Sequence, residues 1–324
     1  MIPKAELHVH LEGAAPPDLI RRLAARNRIA LPKNLFDGNG LFAWTDFLNF
    51  LEVYDTVTTA IRTPEDYRDV TFEYLAKCAS EGAIYVEVMS SPDHATQTGM
   101  SYQNHLDGIV AGIEDAQAEF GIEGRIIVTC VRHFGTERAM EVARNVVRHP
   151  HPLVTGFGMG GDEAGFPPEP FANVFRYVAD SGLGCTVHAG EWAGPESVRE
   201  AVDTLPVTRI GHGVRAVEDP TLPSDLAARG IALEVCPGSN IATGLYPSHA
   251  DHPLPDLREA GLAVSLNSDD PPYFGASVGG EYDAAAAHFG LADEELRQIT
   301  LDALDAAFVD DETRAALKDR VRSG

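Results

Sequence analysis

Positive charge is the scarcest property of this sequence. Its 324 residues include four lysines, Lys4, Lys33, Lys77 and Lys318, and 25 Lys+Arg stand against 49 Asp+Glu, a formal charge of −24. That balance opposes counterion release on nucleic acid and repels anionic lipid, so neither nucleic acid nor membrane is an expected partner. No apolar run reaches the length of a membrane span, and MIPKAELHVH lacks the basic-then-apolar order of a secretory signal; the expectation is a cytoplasmic protein. Cysteine is sparse as well. Cys78, Cys130, Cys185 and Cys236 lie far apart in apolar segments, which suits reduced core thiols rather than disulfides or a CxxC metal site. No GxGxxG stands at a strand-loop-helix junction and no GxSxG directly follows a predicted strand, which removes the dinucleotide-fold and serine-hydrolase readings. The acidic surplus reads as a solubility feature, and oligomeric state is left open.

What the sequence does have is a repeated alternation of apolar, β-branched runs with amphipathic stretches. Eight runs read as strands: residues 5–11, 83–91, 125–131, 153–160, 184–190, 208–213, 231–237 and 262–268. Between them, 64–82, 101–121, 135–149 and 194–205 read as helices, several opened by Pro or a capping residue and closed by Gly. Eight nearly continuous apolar strands with helical connections predict an α/β fold, a (β/α)₈ TIM-type barrel in one domain over 1–324. Strand one is followed by an insertion, 14–82, whose stretch LFAWTDFLNFLEVYD (41–55) carries aromatics at helical spacing, either a packing surface or a lid. The tail beyond 276 reads as extra C-terminal helices, among them 293–308.

On this scheme the histidines gather at one rim. Barrel enzymes build their sites at the C-terminal ends of the strands. ELHVHLEG (6–13) ends strand one with His8 and His10, VHAGE ends strand five with His188 and Glu191, GHG ends strand six with His212, and NSDDP ends strand eight with Asp269 and Asp270. Taken alone, HVH reads as one core and one surface imidazole. Two positions apart on a strand share a face, however, so both can point inward. With His188 and Asp269 they make a candidate divalent-metal site, zinc first and iron or cobalt also compatible. A cation among neutral imidazoles lowers the pKa of a water ligand. His212 is then placed to orient or deprotonate that water, Glu191 to pass a proton to a substrate nitrogen, and Asp270 to accept from a substrate ring. The alternative for the adjacent Asp pair is a helix N-cap.

These segments, with GDE (161–163), RIGHG (209–213), EVCPGSN (234–240) and SLNSDDP (265–271), resemble the adenosine deaminase family of the amidohydrolase superfamily, in order and spacing, over nearly the whole chain. The resemblance implies a mononuclear zinc barrel, one Zn²⁺ per chain, that removes the 6-amino group of a small purine as ammonia. It implies His8, His10, His188 and Asp269 as ligands, Glu191 as proton donor to ring N1, His212 as partner of the zinc-bound hydroxide, Asp270 as acceptor from N7 and the Gly161 backbone as donor to N3. His10, Glu12, Gly161 and Asp270 are the expected substrate contacts.

The substrate itself is where the motifs diverge. Glu12 stands where adenosine deaminases usually carry Asp, a residue associated with the ribose 5′-hydroxyl. FPPEPF (166–171) and NSDDPPYFG (267–275) look more like adenine deaminases, whereas GDE and RIGHG look more like the adenosine enzymes. The expectation is adenosine or 2′-deoxyadenosine, with adenine as the alternative and a 5′-modified nucleoside such as aminodeoxyfutalosine third. A binuclear site bridged by a carboxylated lysine is excluded because strand four has no lysine. A zinc-containing nucleoside-binding barrel without activity would need no Glu191 or His212. Trp192 is expected to wall the purine pocket, His133 and His94 to stand near it, His249 and His252 to lie at the mouth or in solvent, and Ser239 and Asn240 to brace the strand-seven loop.

Overall fold

The structure, a computed structural model, describes residues 2–323. Eight parallel strands run in sequence order: β1 (Lys4–His10), β2 (Ala83–Ser90), β3 (Glu123–Val131), β4 (Val154–Gly160), β5 (Gly184–Ala189), β6 (Arg209–His212), β7 (Ala232–Val235) and β8 (Val264–Leu266). Each pairs with the next, and the ring is drawn shut where His10 N–H donates to Asp269 O at 2.9 Å and Asp269 N–H to His8 O at 3.2 Å. The expected TIM-type barrel is present. Strands buried on both faces need apolar side chains throughout, which is why they read as continuous runs rather than alternations.

The late strands are shorter than their apolar runs suggested. β7 ends at Val235 and β8 at Leu266, and beyond them the chain turns at the rim. Of the three non-glycine residues with positive φ among the described residues, two sit at C-terminal strand ends: His212, closing β6, at 58° and Asp269, just past β8, at 63°. Left-handed backbone at such residues is costly and persists only where surrounding structure enforces it.

The insertion after β1 supplies α1 (Pro17–Asn27), α2 (Phe47–Thr58) and α3 (Pro64–Ser80). In α1, Leu19, Ile20, Leu23 and Ala24 are buried, one apolar stripe turned into the core. The aromatic stretch begins its helix later than its periodicity suggested, because Asp46 caps it by accepting from Asn49 N–H. At the opposite end, helices Asp293–Ala306 and Asp311–Ser323 close the barrel bottom. Leu304, Ala307, Leu317 and Val321 pack there with Ala5, Leu7 and Tyr85. Truncating a fully buried residue such as Leu304 to Ala costs about 2–5 kcal/mol.

Candidate active site

Four donors converge at the C-terminal rim. His8, His10, His188 and Asp269 each bring a ligand-type atom within 4.8 Å of the others. His10 Nε2 is 3.1 Å from His188 Nε2, and Asp269 Oδ1 is 3.5 Å from His8 Nε2 and 3.4 Å from His10 Nε2. The other ring nitrogens of His8 and His188 are occupied from behind. His8 Nδ1 lies 2.8 Å from Glu234 Oε2, and His188 Nδ1 donates to Met159 O at 3.0 Å. His8 Nε2 is buried and has no hydrogen-bond partner. An orphaned imidazole nitrogen among two other imidazoles and a carboxylate fits a borderline-soft divalent cation. Burial pushes the His10 pKa down to about 4 and that of His188 well below its ordinary value, so both rings offer lone pairs. Burial opposes ionisation of Asp269, but the proximity of His8 and the other imidazoles outweighs it and holds the carboxylate charged.

Cys236 also lies within 4.8 Å of ligand atoms on His8, His212 and Asp269. Burial pushes its thiol well above the ordinary range, so it remains protonated and a poor ligand, as expected of a core thiol.

Around the donors stand Glu191, His212 and Asp270. His212 Nε2 is 3.7 Å from Glu191 Oε2 and 3.9 Å from Asp269 Oδ2. Burial first, then the charge of Asp269, raise the Glu191 pKa well above the carboxylate range. Asp270 is raised by the same two causes and by Glu191. The glycine that ends ELHVHLEG now has its reason. A Cβ on Gly13 would stand 1.7 Å from Asp270 Oδ1, so only glycine lets the turn pass over that carboxyl. At Gly161, φ is 100° and a Cβ would meet His133 Nδ1 at 2.7 Å. No helix N-cap hydrogen bond is made by Asp270.

His10, His188, Glu191, His212, Asp269 and Asp270 line a cavity of about 700 Å³, its open mouth included. Its outer wall is α2, through Phe47, Phe50, Leu51, Tyr54 and Asp55. His94 and His133 line it too, and His94 Nε2 is 3.0 Å from Asp55 Oδ1. Glu12 is 1% exposed and engaged on both oxygens: Oε1 accepts from Ser90 at 2.6 Å and Tyr67 at 3.3 Å, and Oε2 from Tyr54 at 3.3 Å.

Two expectations are corrected. Trp192 does not wall the cavity; it packs on the Phe47 ring at 4.7 Å, because α2 lies between it and the interior. His252 is buried behind the rim rather than at the mouth, while His249 stacks on His288 at 4.3 Å. Ser239 and Asn240 do more than brace a loop, since Ser239 Oγ donates to Asp269 Oδ2 at 2.6 Å and Asn240 Nδ2 meets His212 Nδ1 at 3.2 Å. Sequence reasoning missed Glu234 and its partner Arg209, whose guanidinium pairs with Glu234 and Glu87 at 2.6 Å each. It also missed Glu163, whose carboxylate accepts from Gly190, Glu191, Trp192 and Ala193 N–H at 2.6–3.1 Å. The available signal was a charged residue inside an apolar barrel strand, as in ALEV and YVEV.

Fold and site together define an amidohydrolase-type barrel. The family model described as adenosine deaminase matches residues 3–323, and the chain belongs to that family. It is a hydrolase acting on the C–N bond of a cyclic purine amidine. It is 49% identical to an adenine deaminase of Mesorhizobium japonicum over 319 residues, 98% of each chain. Among solved structures it resembles an adenine deaminase from Arthrobacter aurescens, at TM-score 0.92 and 32% identity, covering 100% of this chain and 99% of that one. It also resembles an amidohydrolase from Burkholderia ambifaria with bound Zn, at TM-score 0.88 and 29% identity, covering 100% and 93%. These relatives favour the adenine alternative over the adenosine reading expected from the motifs. No helix of the described residues is long and apolar enough to cross a membrane.

Proposed function

We propose that this protein converts adenine and water to hypoxanthine and ammonia, acting as one metal-dependent barrel with a single zinc ion held by His8, His10, His188 and Asp269. The observation that carries the free-base reading is the state of Glu12. A ribose hydroxyl is best met by an uncrowded acceptor, and here Ser90, Tyr67 and Tyr54 already take most of the roughly four acceptor positions of the carboxylate. A carboxylate so occupied gains little from a sugar hydroxyl, which would have to compete with those partners. No lysine or arginine lines the cavity, so a nucleotide phosphate would meet Glu12 and Asp55 without a counter-charge. The names of the relatives point the same way.

Zinc in that donor set would supply Lewis acidity and make its coordinated water a nucleophile near neutral pH. The chain's own residues supply the rest. Glu191, kept protonated by burial and by Asp269, gives its proton to N1 as C6 becomes tetrahedral and aromaticity is lost. Asp270, whose proton affinity is raised likewise, pairs with N7, and Gly161 N–H with N3. His212 faces the oxygen that adds to C6, His10 borders the same face, and α2 covers the ring and excludes water with its aromatic side chains.

The test is ammonia release from the zinc-loaded protein with adenine, adenosine and 2′-deoxyadenosine compared as kcat/KM. Adenine is expected to lead by about 100-fold or more. Preference for either nucleoside would return the protein to the adenosine reading.

A further inference from the structure

His212 enters the site with one ring nitrogen and is held from behind by the other, and the hydrogen bonds behind it admit one arrangement of protons. They begin at a backbone amide, which can only donate. Leu254 N–H donates to His252 Nδ1 at 3.2 Å, so that nitrogen carries no proton. His252 is buried, and burial pushes its pKa down to about 3, so the ring is neutral and its proton sits on Nε2. That Nε2–H lies 3.1 Å from the Asn240 amide and needs an acceptor, which turns Oδ1 of Asn240 toward His252. The reverse orientation would set the amide NH₂ against an N–H. The NH₂ group therefore faces His212 Nδ1 at 3.2 Å and donates to it. An imidazole whose Nδ1 accepts carries its proton on Nε2. Near that nitrogen stand the charged Asp269, with Oδ2 at 3.9 Å, and the Glu191 carboxyl, with Oε2 at 3.7 Å.

We infer that Asn240 and His252 are positioning residues that fix His212 as its Nε2–H tautomer, so that it serves the reaction as a hydrogen-bond donor to the attacking oxygen and not as its base. The tautomer follows from the hydrogen bonds alone, while its use in catalysis rests on the deaminase reading above. It resolves the choice the sequence left between orienting and deprotonating the water. A donor aimed at an oxygen that gains negative charge acts by preorganised electrostatics. A wrong tautomer presents a lone pair there instead, and the stabilisation is lost.

The first measurement is long-range ¹H–¹⁵N correlation on zinc-loaded protein labelled at histidine, with His212 assigned by comparison with His212→Gln. The expected pattern has Nδ1 unprotonated and Nε2 protonated. Protonated Nδ1 in the wild type overturns the inference whether or not any variant folds. Asn240→Asp offers His212 only acceptors, so it should move the proton to Nδ1 and lower kcat about 100-fold, with KM within about threefold. His252→Phe should weaken tautomer control and kcat, and His252→Gln, which keeps a side-chain donor, should restore both. An Asn240→Asp tautomer switch that leaves kcat intact overturns the donor role, as does a loss of kcat that tracks loss of bound metal. If adenine yields no ammonia while the Nε2–H pattern stands, the substrate reading falls and the tautomer assignment does not.

Discussion

The floor of the cavity and its outer wall are held in different ways. On the floor, most of the polar groups have a buried partner behind them: Glu234 for His8, Met159 O for His188, Asn240 for His212, Ser239 for Asp269. Those partners are held in turn, as when Arg209 joins Glu234 to Glu87 in the barrel interior. The wall is one helix from the β1 insertion, packed through aromatic faces. Phe50 sits 5.1 Å from Phe274 and 5.2 Å from Tyr273, and the polar pair His94 and Asp55 spans its edge. Directional bonds fix positions to fractions of an ångström, whereas aromatic contact fixes area and tolerates displacement. The chemistry is thus built on the rigid part and ligand choice on the adaptable part. Changes to the floor should act on kcat, and changes at the wall and at Glu12 on KM and selectivity.

The sharpest way to break that comparison is Glu191→Gln. The amide cannot deliver a proton to N1, and kcat should fall about 10³-fold with metal content unchanged. Near-normal turnover by a metal-loaded Glu191→Gln protein would remove the proton-transfer role.

A smaller loss is expected one step behind the floor. Glu163 gathers four consecutive backbone N–H groups, Gly190 to Ala193, and the Ser197 hydroxyl at 2.6 Å, so the loop carrying Glu191 is wound around one buried carboxylate. Glu163→Gln replaces one accepting oxygen with a donor facing those N–H groups. We expect kcat to fall about 10- to 100-fold and amide hydrogen exchange at 190–193 to speed up. Unchanged exchange there would show that the loop is held by something else.

At the boundary between floor and wall, Glu12→Asp withdraws the carboxylate by one methylene from Tyr54 and Tyr67. Adenine kcat/KM should drop about tenfold while adenosine gains, so the ratio between them narrows further than either rate changes alone. Equal effects on base and nucleoside would place Glu12 outside substrate selection.

How much of this was legible in the sequence follows the same division. The barrel and the rim residues could be read because their signals are local: apolar runs for strands, and HVH, HAGE and SDD at strand ends. The order of groups behind them could not. Glu234 meets His8 from 226 positions away, and Arg209 reaches Glu87 across the barrel, so no spacing announces either pair. Trp192 was misread for the opposite reason. Adjacent to Glu191 in sequence, it is cut off from the cavity by a helix nearly 150 positions earlier. On the substrate the motifs divided, GDE and RIGHG leaning to adenosine and FPPEPF to adenine, and the relatives favour the adenine alternative.

The smallest effect lies behind the floor, at Glu281. Its carboxylate accepts from Gly238 N–H at 3.1 Å, at the start of the segment that carries Ser239 and Asn240. Burial raises its pKa to about 8, from an unfolded value near 4.5. Between those values the folded state holds a proton that the unfolded state releases, so this group's contribution to stability falls as pH rises from about 4.5 to about 8. Glu281→Gln keeps an acceptor for Gly238 and removes the ionisation. Near pH 5 the variant and wild type should melt within about 1 °C of each other, whereas at pH 8.5 the variant should be the more stable by about 1–3 kcal/mol. Turnover should change little at either pH, because Glu281 supports the backbone of the floor and touches none of its reacting groups. Parallel melting curves for the two proteins across this range would mean that Glu281 is ionised in the fold, with its charge met by more than the Gly238 amide.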